Sequence, residues 1–295
     1  MMQGKICLVT GATNGIGEVT AHELAKMGAP VVIVGRNPQK TAQVVADIKA
    51  KSGNPNVDSI IADLSVGADV MAVAETFKSR YNRLDVLVNN AGALILTRDI
   101  TPDGLEMTFA LNHMSYFTLT NALLDMLKAS GTPIQKARIV NVSSVLHSAY
   151  PIDFDNLQSV RKPFNGHGAY SRSKLMNLMF TYELNKRLQA QNAPVTVNAL
   201  HPGVIKSGFA KNNNKGIWGV IMPIFLPLYF WRLTPEEGAK TQLYLATSPE
   251  VEAVSGKYFD KCKPIASSPA SLVEADWARL WAMSEQIDKD RLKRG

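Results

Sequence analysis

Short, nearly uninterrupted runs of Val, Ile and Leu recur along this chain, each separated from the next by a longer stretch. The runs cover residues 5–10, 30–35, 57–62, 84–89, 137–143, 195–200 and 256–259. A strand with one wet face alternates apolar and polar side chains, whereas one that stays apolar throughout is covered on both faces. Between the first runs, amphipathic spacing predicts helices at about 15–28 and 38–51. Doubly covered strands separated by helices pair in parallel through right-handed crossovers. The predicted fold is therefore α/β: one domain, doubly wound, with a mostly parallel seven-stranded sheet and helices on both faces. No internal repeat, low-complexity tract or linker divides the 295 residues.

Composition narrows the class of partner. Apolar residues make up 46% and charged residues 19%, too apolar for a disordered chain. The net charge of +7 is mild, and no Lys/Arg cluster is interleaved with aromatics, so nucleic acid is not an expected partner. Cys7, inside the first run, and Cys262, in a late loop, are the only cysteines, and both read as reduced thiols of a cytoplasmic protein. The chain enters its first strand almost at once, so neither a signal peptide nor an N-terminal anchor is expected. No His/Cys/Asp/Glu group has metal spacing, and no metal is expected.

Directly after the first run stands Thr10-Gly11-Ala12-Thr13-Asn14-Gly15-Ile16-Gly17, opening a helix. Glycines tolerate the turn, and their missing side chains let backbone N–H groups approach a phosphate. The helix N-terminus adds about half a positive charge. The spacing is Gly-x-x-x-Gly-x-Gly, and its place between strand and helix gives it weight. Further on, Tyr170 and Lys174 lie four residues apart at the head of an amphipathic helical stretch. Free tyrosine, with a pKa near 10, is a poor base, and an ammonium one turn away would favour its phenolate. Such a tyrosine can give or take an alcohol proton.

In combination these motifs resemble the short-chain dehydrogenase/reductase superfamily, and within it the retinol-dehydrogenase-like branch. The resemblance runs through residues 10–17, Asn89-Asn90-Ala91-Gly92, residues 103–120, 138–145 and 170–174, and His201-Pro202-Gly203. Ser255-Gly256-Lys257-Tyr258-Phe259 and Leu280-Trp281 are similar to that branch as well. The resemblance implies a Rossmann fold and hydride transfer between a nicotinamide cofactor and an alcohol or carbonyl. Gly11, Thr13, Asn14, Gly15, Ile16 and Gly17 would then cradle the pyrophosphate. At the end of the second run, Val34-Gly35-Arg36-Asn37 offers no carboxylate for ribose hydroxyls, but Arg36, helped by Lys40, can grip a 2′-phosphate. NADP(H) is the expected cofactor. The resemblance puts Asp63 and Leu64 beside the adenine, Asn90, Ala91 and Gly92 along the ribose and nicotinamide, and Pro202, Gly203 and Val204 at the carboxamide.

For the chemistry, Ser144 would hydrogen-bond and polarise the substrate oxygen, Tyr170 would transfer the proton, and Lys174 would bind the ribose and acidify the phenol. Asn112, by resemblance, would kink its helix and hold a water linking Lys174 to solvent. Ser143 is the alternative to Ser144, because neighbours in a strand point opposite ways. His113 reads as a packed residue and His201 as a cap on the turn before Pro202. The long connection carrying His147, Tyr150, Asp153 and Phe154 reads as a substrate-side loop, or else as a surface excursion.

The stretch 217–231 is uncharged, contains two prolines and is bracketed by Lys211, Lys215 and Arg232. It is too short and broken to span a bilayer, which needs about 20 apolar residues. By resemblance it belongs to a substrate-lid insertion at about 204–234. An apolar lid suits a lipophilic aldehyde, ketone or alcohol, and the same surface suits peripheral membrane contact. A homodimer through the helix bearing Tyr170 is a further expectation of the resemblance. Two other readings remain: a catalytically retired NADP-binding sensor or scaffold, and double-bond reduction as in protochlorophyllide reductases. An intact Asn112, Ser144, Tyr170 and Lys174 set opposes the first; the second expects a cysteine near the substrate.

Overall fold

The computed structural model describes residues 2–161, 163–203 and 233–293. Its eight strands form one sheet: β1 (Cys7–Thr10), β2 (Val31–Gly35), β3 (Val57–Ile61), β4 (Val86–Asn89), β5 (Ala137–Val142), β6 (Val195–Leu200), β7 (Tyr258–Asp260) and β8 (Lys263–Ile265). Their order is β3-β2-β1-β4-β5-β6-β7-β8. Every pair is parallel except β7–β8. The sequence predicts seven strands, and the eighth is the addition. It arises because Lys261 and Cys262 take left-handed backbone angles, φ 47° and 62°, and close a two-residue hairpin. Neither residue is the Asn or Gly that ordinarily signals such a turn.

Among the described residues the helices are α1 (Gly15–Lys26), α2 (Pro38–Ser52), α3 (Gly67–Arg80), α4 (Met107–Phe109), α5 (Ser115–Ser130), α6 (Gly166–Ala190), α7 (Pro235–Thr247) and α8 (Glu274–Leu292). A π turn, Ala110–Met114, joins α4 to α5. Period-two alternation sends Leu8, Val32 and Val34 into the core beneath α3, α5 and α6, while Cys7, Val9, Val31 and Ile33 enter the core beneath α1, α2 and α7. Both faces are therefore apolar, which is why the strands read as unbroken runs.

The sheet reverses its winding between β1 and β4. At such a reversal the connections after the two strands leave toward opposite faces, and the carboxyl edge there is where sheets of this kind bind their ligands. The helix α6 runs beneath that edge and is buried on most of its circumference over its first half. Its outer side is covered by α8: Trp281 stacks on Phe180 at 5.7 Å and meets Phe117 edge-on at 5.0 Å, and Arg187 lies over its ring at 4.2 Å. The far end of α8 is pinned by Arg291, 2% exposed, which contacts Asp103, Asp288 and Thr118.

Of the sequence expectations, Val204 and the stretch 217–231 lie outside the described residues, as does the 204–234 insertion apart from Leu233 and Thr234. Among the described residues no helix is long and apolar enough to cross a membrane.

Candidate active site at the carboxyl edge of the sheet

The glycine loop is built as much by packing as by its exposure to a ligand. Gly11 and Gly15 take left-handed φ values of 64° and 58°. A Cβ on Gly11 would lie 2.7 Å from Ala91 Cα, and one on Gly17 would lie 2.6 Å from the Gly11 carbonyl oxygen. Glycine at 11 and 17 lets α1 close down on the β4 loop. Asn14 precedes α1 in extended geometry, yet its side chain makes no capping hydrogen bond. The first-turn N–H groups of α1 thus lack the side-chain cap that Asn ordinarily supplies, and a pyrophosphate fits that donor set.

A polar lock sets the neighbouring loop. Thr10 Oγ1 accepts the main-chain N–H of Asn90 at 2.9 Å and of Ala91 at 3.0 Å. Asn90 Nδ2 donates to the Thr10 carbonyl at 2.8 Å, and its Oδ1 accepts from Gln242 Nε2 at 3.2 Å. Gln242 Oε1 in turn accepts from Thr20 Oγ1 at 2.8 Å. Thr10 was legible beside Gly11, whereas Gln242, far along the chain, carries no sequence signal.

At the end of β2, Arg36 has 70% of its side chain exposed and sits 3.6 Å from Asp63. Lys40 is exposed one turn into α2, which Asn37 caps through Lys40 N at 2.8 Å. Leu64 is buried behind Asp63. Thr13 packs against Gly35, where an added Cβ would lie 2.4 Å from Thr13 Cγ2. An anionic group would find a cation here, though Asp63 shares the Arg36 guanidinium.

The residues expected to carry chemistry meet where β4, β5, the π turn and α6 converge. Asn112 is fully buried in the π turn. Its Oδ1 accepts from Ala93 N at 2.8 Å, and its Nδ2 donates to the Ala93 carbonyl and to Ser173 Oγ, both at 3.0 Å. The π turn leaves the Asn112 main-chain carbonyl to accept from Asn177 Nδ2 at 2.9 Å. Asn177, three residues past Lys174 on the same helix face, is therefore part of the site, although no sequence motif singles it out. Lys174 Nζ donates to the Val142 carbonyl at 3.0 Å and sits 5.8 Å from the Tyr170 ring centre and 5.6 Å from that of Tyr116. A Cβ on Gly92 would lie 3.2 Å from both Lys174 Nζ and Asn112 Oδ1. Glycine keeps that gap open.

The two serines part company. Ser143 is buried and donates to the Lys174 carbonyl at 2.8 Å, an internal structural bond. Ser144, partly exposed at the start of a 3₁₀ turn, has its side chain hydrogen-bonded to the Tyr170 phenol. Burial raises the Tyr170 pKa to about 12, against a smaller downward effect of Ser144. Burial lowers Lys174 to about 7. The expected acidification of the phenol by the ammonium is thus not supplied by the folded chain alone. Both groups lose water, and both are driven toward their neutral forms.

Other histidines settle into packing roles. His113 is enclosed by Phe109, Phe117 and Phe180 and bonds Ser284 of α8 at 3.0 Å. His201 Nδ1 accepts from Gly203 N at 3.2 Å across Pro202, capping that turn, with Gly203 at φ 83°. Cys7 is buried in β1, and Cys262 stands in the β7–β8 hairpin away from these residues in sequence and sheet position.

The short chain dehydrogenase family model matches residues 5–218. Human "Retinol dehydrogenase 13" is 40% identical over 287 residues, covering 96% of this chain and 84% of that protein. The solved complex of Pseudomonas aeruginosa RhlG with NADP superposes with a TM-score of 0.67 at 27% identity, covering 88% of this chain and 94% of that one. The 3-ketoacyl-(acyl-carrier-protein) reductase of Brucella melitensis, solved with NADH, gives 0.68 at 25%, covering 88% and 98%.

Proposed function

We propose, from the premise that this chain belongs to the short-chain dehydrogenase family, that it is an NADP(H)-dependent reductase of lipophilic aldehydes or ketones, with the reverse alcohol oxidation open to it. That it is an oxidoreductase using a nicotinamide cofactor on an alcohol or carbonyl follows from the family and the relatives; cofactor type, substrate class and residue roles are the proposal. The observation that carries it is the joined set of Ser144, Tyr170, Lys174 and Asn112 under one sheet edge.

The cofactor supplies or accepts the hydride. The N-terminus of α1 would hold its pyrophosphate, Arg36 and Lys40 a 2′-phosphate, and Asn90, Ala91, Gly92 and Lys174 its nicotinamide half. Ser144 Oγ would hydrogen-bond the substrate oxygen beside the Tyr170 phenol, ready to protonate it. A phenol held at about 12 is protonated at neutral pH, which suits a proton donor and so the reductive direction. Asn112 would act through Ala93 and Ser173, which it anchors; a water relay to Lys174 stays part of the proposal. The relative's substrate, retinol, is an apolar alcohol, and 217–231 is an apolar stretch in the region where a lid is expected. A reducing cytoplasmic setting with peripheral membrane contact through 217–231 completes the reading; flotation with vesicles of anionic lipid that is equal with and without that stretch would remove the membrane part.

The deciding experiment is cofactor oxidation with a panel of lipophilic aldehydes and ketones. Turnover with NADPH should exceed that with NADH, and Arg36→Ala should lower kcat/KM for NADPH by about 10- to 100-fold, the worth of one charge-assisted bond, while sparing NADH. Equal use of both cofactors by the unaltered protein would end the Arg36 argument. Pairing of two copies through the outer face of α6 is not proposed, because α8 occupies that face.

A further inference from the structure

His147, three residues past Ser144, is 5% exposed although the sequence sets it in a long connection. Its Nδ1 lies 2.7 Å from the Ser144 carbonyl oxygen, and its Nε2 lies 3.0 Å from the main-chain nitrogen of Ser268. A carbonyl can only accept and a main-chain N–H can only donate. Nδ1 must therefore carry the hydrogen and Nε2 must be bare, so the ring is neutral in one defined tautomer. Its own N–H donates to the same Ser144 carbonyl at 3.1 Å, and the ring stands edge-on to Tyr258 at 5.0 Å.

The partner on the far side is itself anchored. Ser271 Oγ donates to the Ser268 carbonyl and contacts Ser267 Oγ, and Ser267 Oγ meets the Tyr182 hydroxyl of α6 at 2.6 Å. Trp277 Nε1 of α8 donates to the Ser271 carbonyl at 2.7 Å. One imidazole thus joins the turn that starts at Ser144 to a C-terminal strap bolted to α6, the helix that carries Tyr170 and Lys174. The relative placement of Ser144 and Tyr170 depends on both ends of this bridge.

We infer that His147 is a positioning residue, which in its neutral Nδ1–H form ties the Ser144 turn to the Ser268 main chain and so fixes Ser144 against Tyr170. The inference rests on the proposed role of Ser144 and adds to it a residue that never touches substrate. A charged ring would place a second hydrogen on Nε2, facing the Ser268 N–H, and would break the bridge. The groups facing the ring are the Tyr258 hydroxyl, 3.5 Å from Nδ1, and His201, with Asp260 beside His201 at 3.4 Å. Burial and His201 both favour the neutral ring, while the bond to Ser144 opposes them.

The test compares His147→Ala, His147→Asn and Ser268→Pro in the full chain, with NADPH and a lipophilic aldehyde. Asn can present its amide N–H where Nδ1 stood but places no acceptor where Nε2 stood. Pro removes the Ser268 N–H, together with a hydroxyl that makes no hydrogen bond, and suits that residue's φ of −61°. His147→Ala should lower kcat by about tenfold or more, as misplacement of a reacting group does, with NADPH affinity within about twofold of the unaltered chain. His147→Asn, which keeps a donor for Ser144 but no acceptor for Ser268, and Ser268→Pro, which loses the same bond from the other side, should lower kcat by similar factors. An unchanged kcat in His147→Ala or in Ser268→Pro, an Asn variant with full kcat, or parallel losses of kcat and NADPH affinity would overturn the inference. If the unaltered chain turns over no carbonyl, the functional reading fails instead. Nitrogen NMR of the His147 ring then decides the inference separately: an Nε2–H or charged ring at neutral pH would sink it.

Discussion

Burial drives Tyr170 and Lys174 to the same outcome, an uncharged side chain, and the pair must be read from that starting point. In the proposed reaction Tyr170, held at about 12, donates the proton, and Tyr170→Phe should lower kcat by about 10²- to 10⁴-fold while NADPH still binds, as measured by fluorescence titration. Turnover surviving that substitution would remove the acid role. Lys174 makes a different prediction, about stability. Its pKa falls from 10.5 in the unfolded chain to about 7 in the fold, so the unfolded chain holds more protons between those values. Stability from this group therefore rises as pH climbs from about 7 toward 10.5, and the cost of burying the ammonium is fully present below about 7. Lys174→Met should abolish activity yet raise the unfolding midpoint near pH 6 by several degrees, reflecting a few kcal/mol. A slope of midpoint against pH that matches the unaltered chain would refute this. Tyr170, Lys174 and Ser144 were legible in sequence because spacing puts them on known elements. The directions of their pKa shifts were not, since desolvation depends on what surrounds a group rather than on its neighbours in the chain.

Among the elements, α6 owes its placement to its first residue. Gly166 abuts the loop after β4 so closely that a Cβ there would lie 2.4 Å from the Ile95 carbonyl oxygen and 2.6 Å from Leu96 Cα. Both are main-chain atoms, so the helix would have to move, and Tyr170 is one turn further on. Gly166→Ala should destabilise the protein by about 1–3 kcal/mol in denaturant melts and reduce kcat more than NADPH affinity. Identical kinetics and stability would show that the loop yields freely. The π turn is another device of this scale: it frees the Asn112 carbonyl for Asn177 while Asn112 itself clamps Ala93. The family resemblance implies a kink at Asn112; the bond from Asn177 to its carbonyl arises only when the helices are packed.

Across the whole molecule, α8 decides what the outer face of α5 and α6 can do. Trp281 fills the space between Phe117 and Phe180, and His113 reaches Ser284, so pairing through this face would require α8 to leave. Arg291 holds the end of α8 with its charge buried beside Asp103 and Asp288, and Arg291→Ala should cost about 3–5 kcal/mol by leaving those carboxylates unpaired. A change below about 1 kcal/mol in equilibrium unfolding would contradict that anchoring. The apolar runs, the glycine loop and the Tyr170–Lys174 spacing determined the winding of the sheet and the edge at which chemistry gathers, because each depends on periodicity within a short segment. The eighth strand, the burial of Ser143 with Ser144 left beside Tyr170, the tautomer of His147 and the covering of α6 were decided only by tertiary structure. Each of these depends on groups distant in the chain meeting in a space without water, where every donor and acceptor must find its partner.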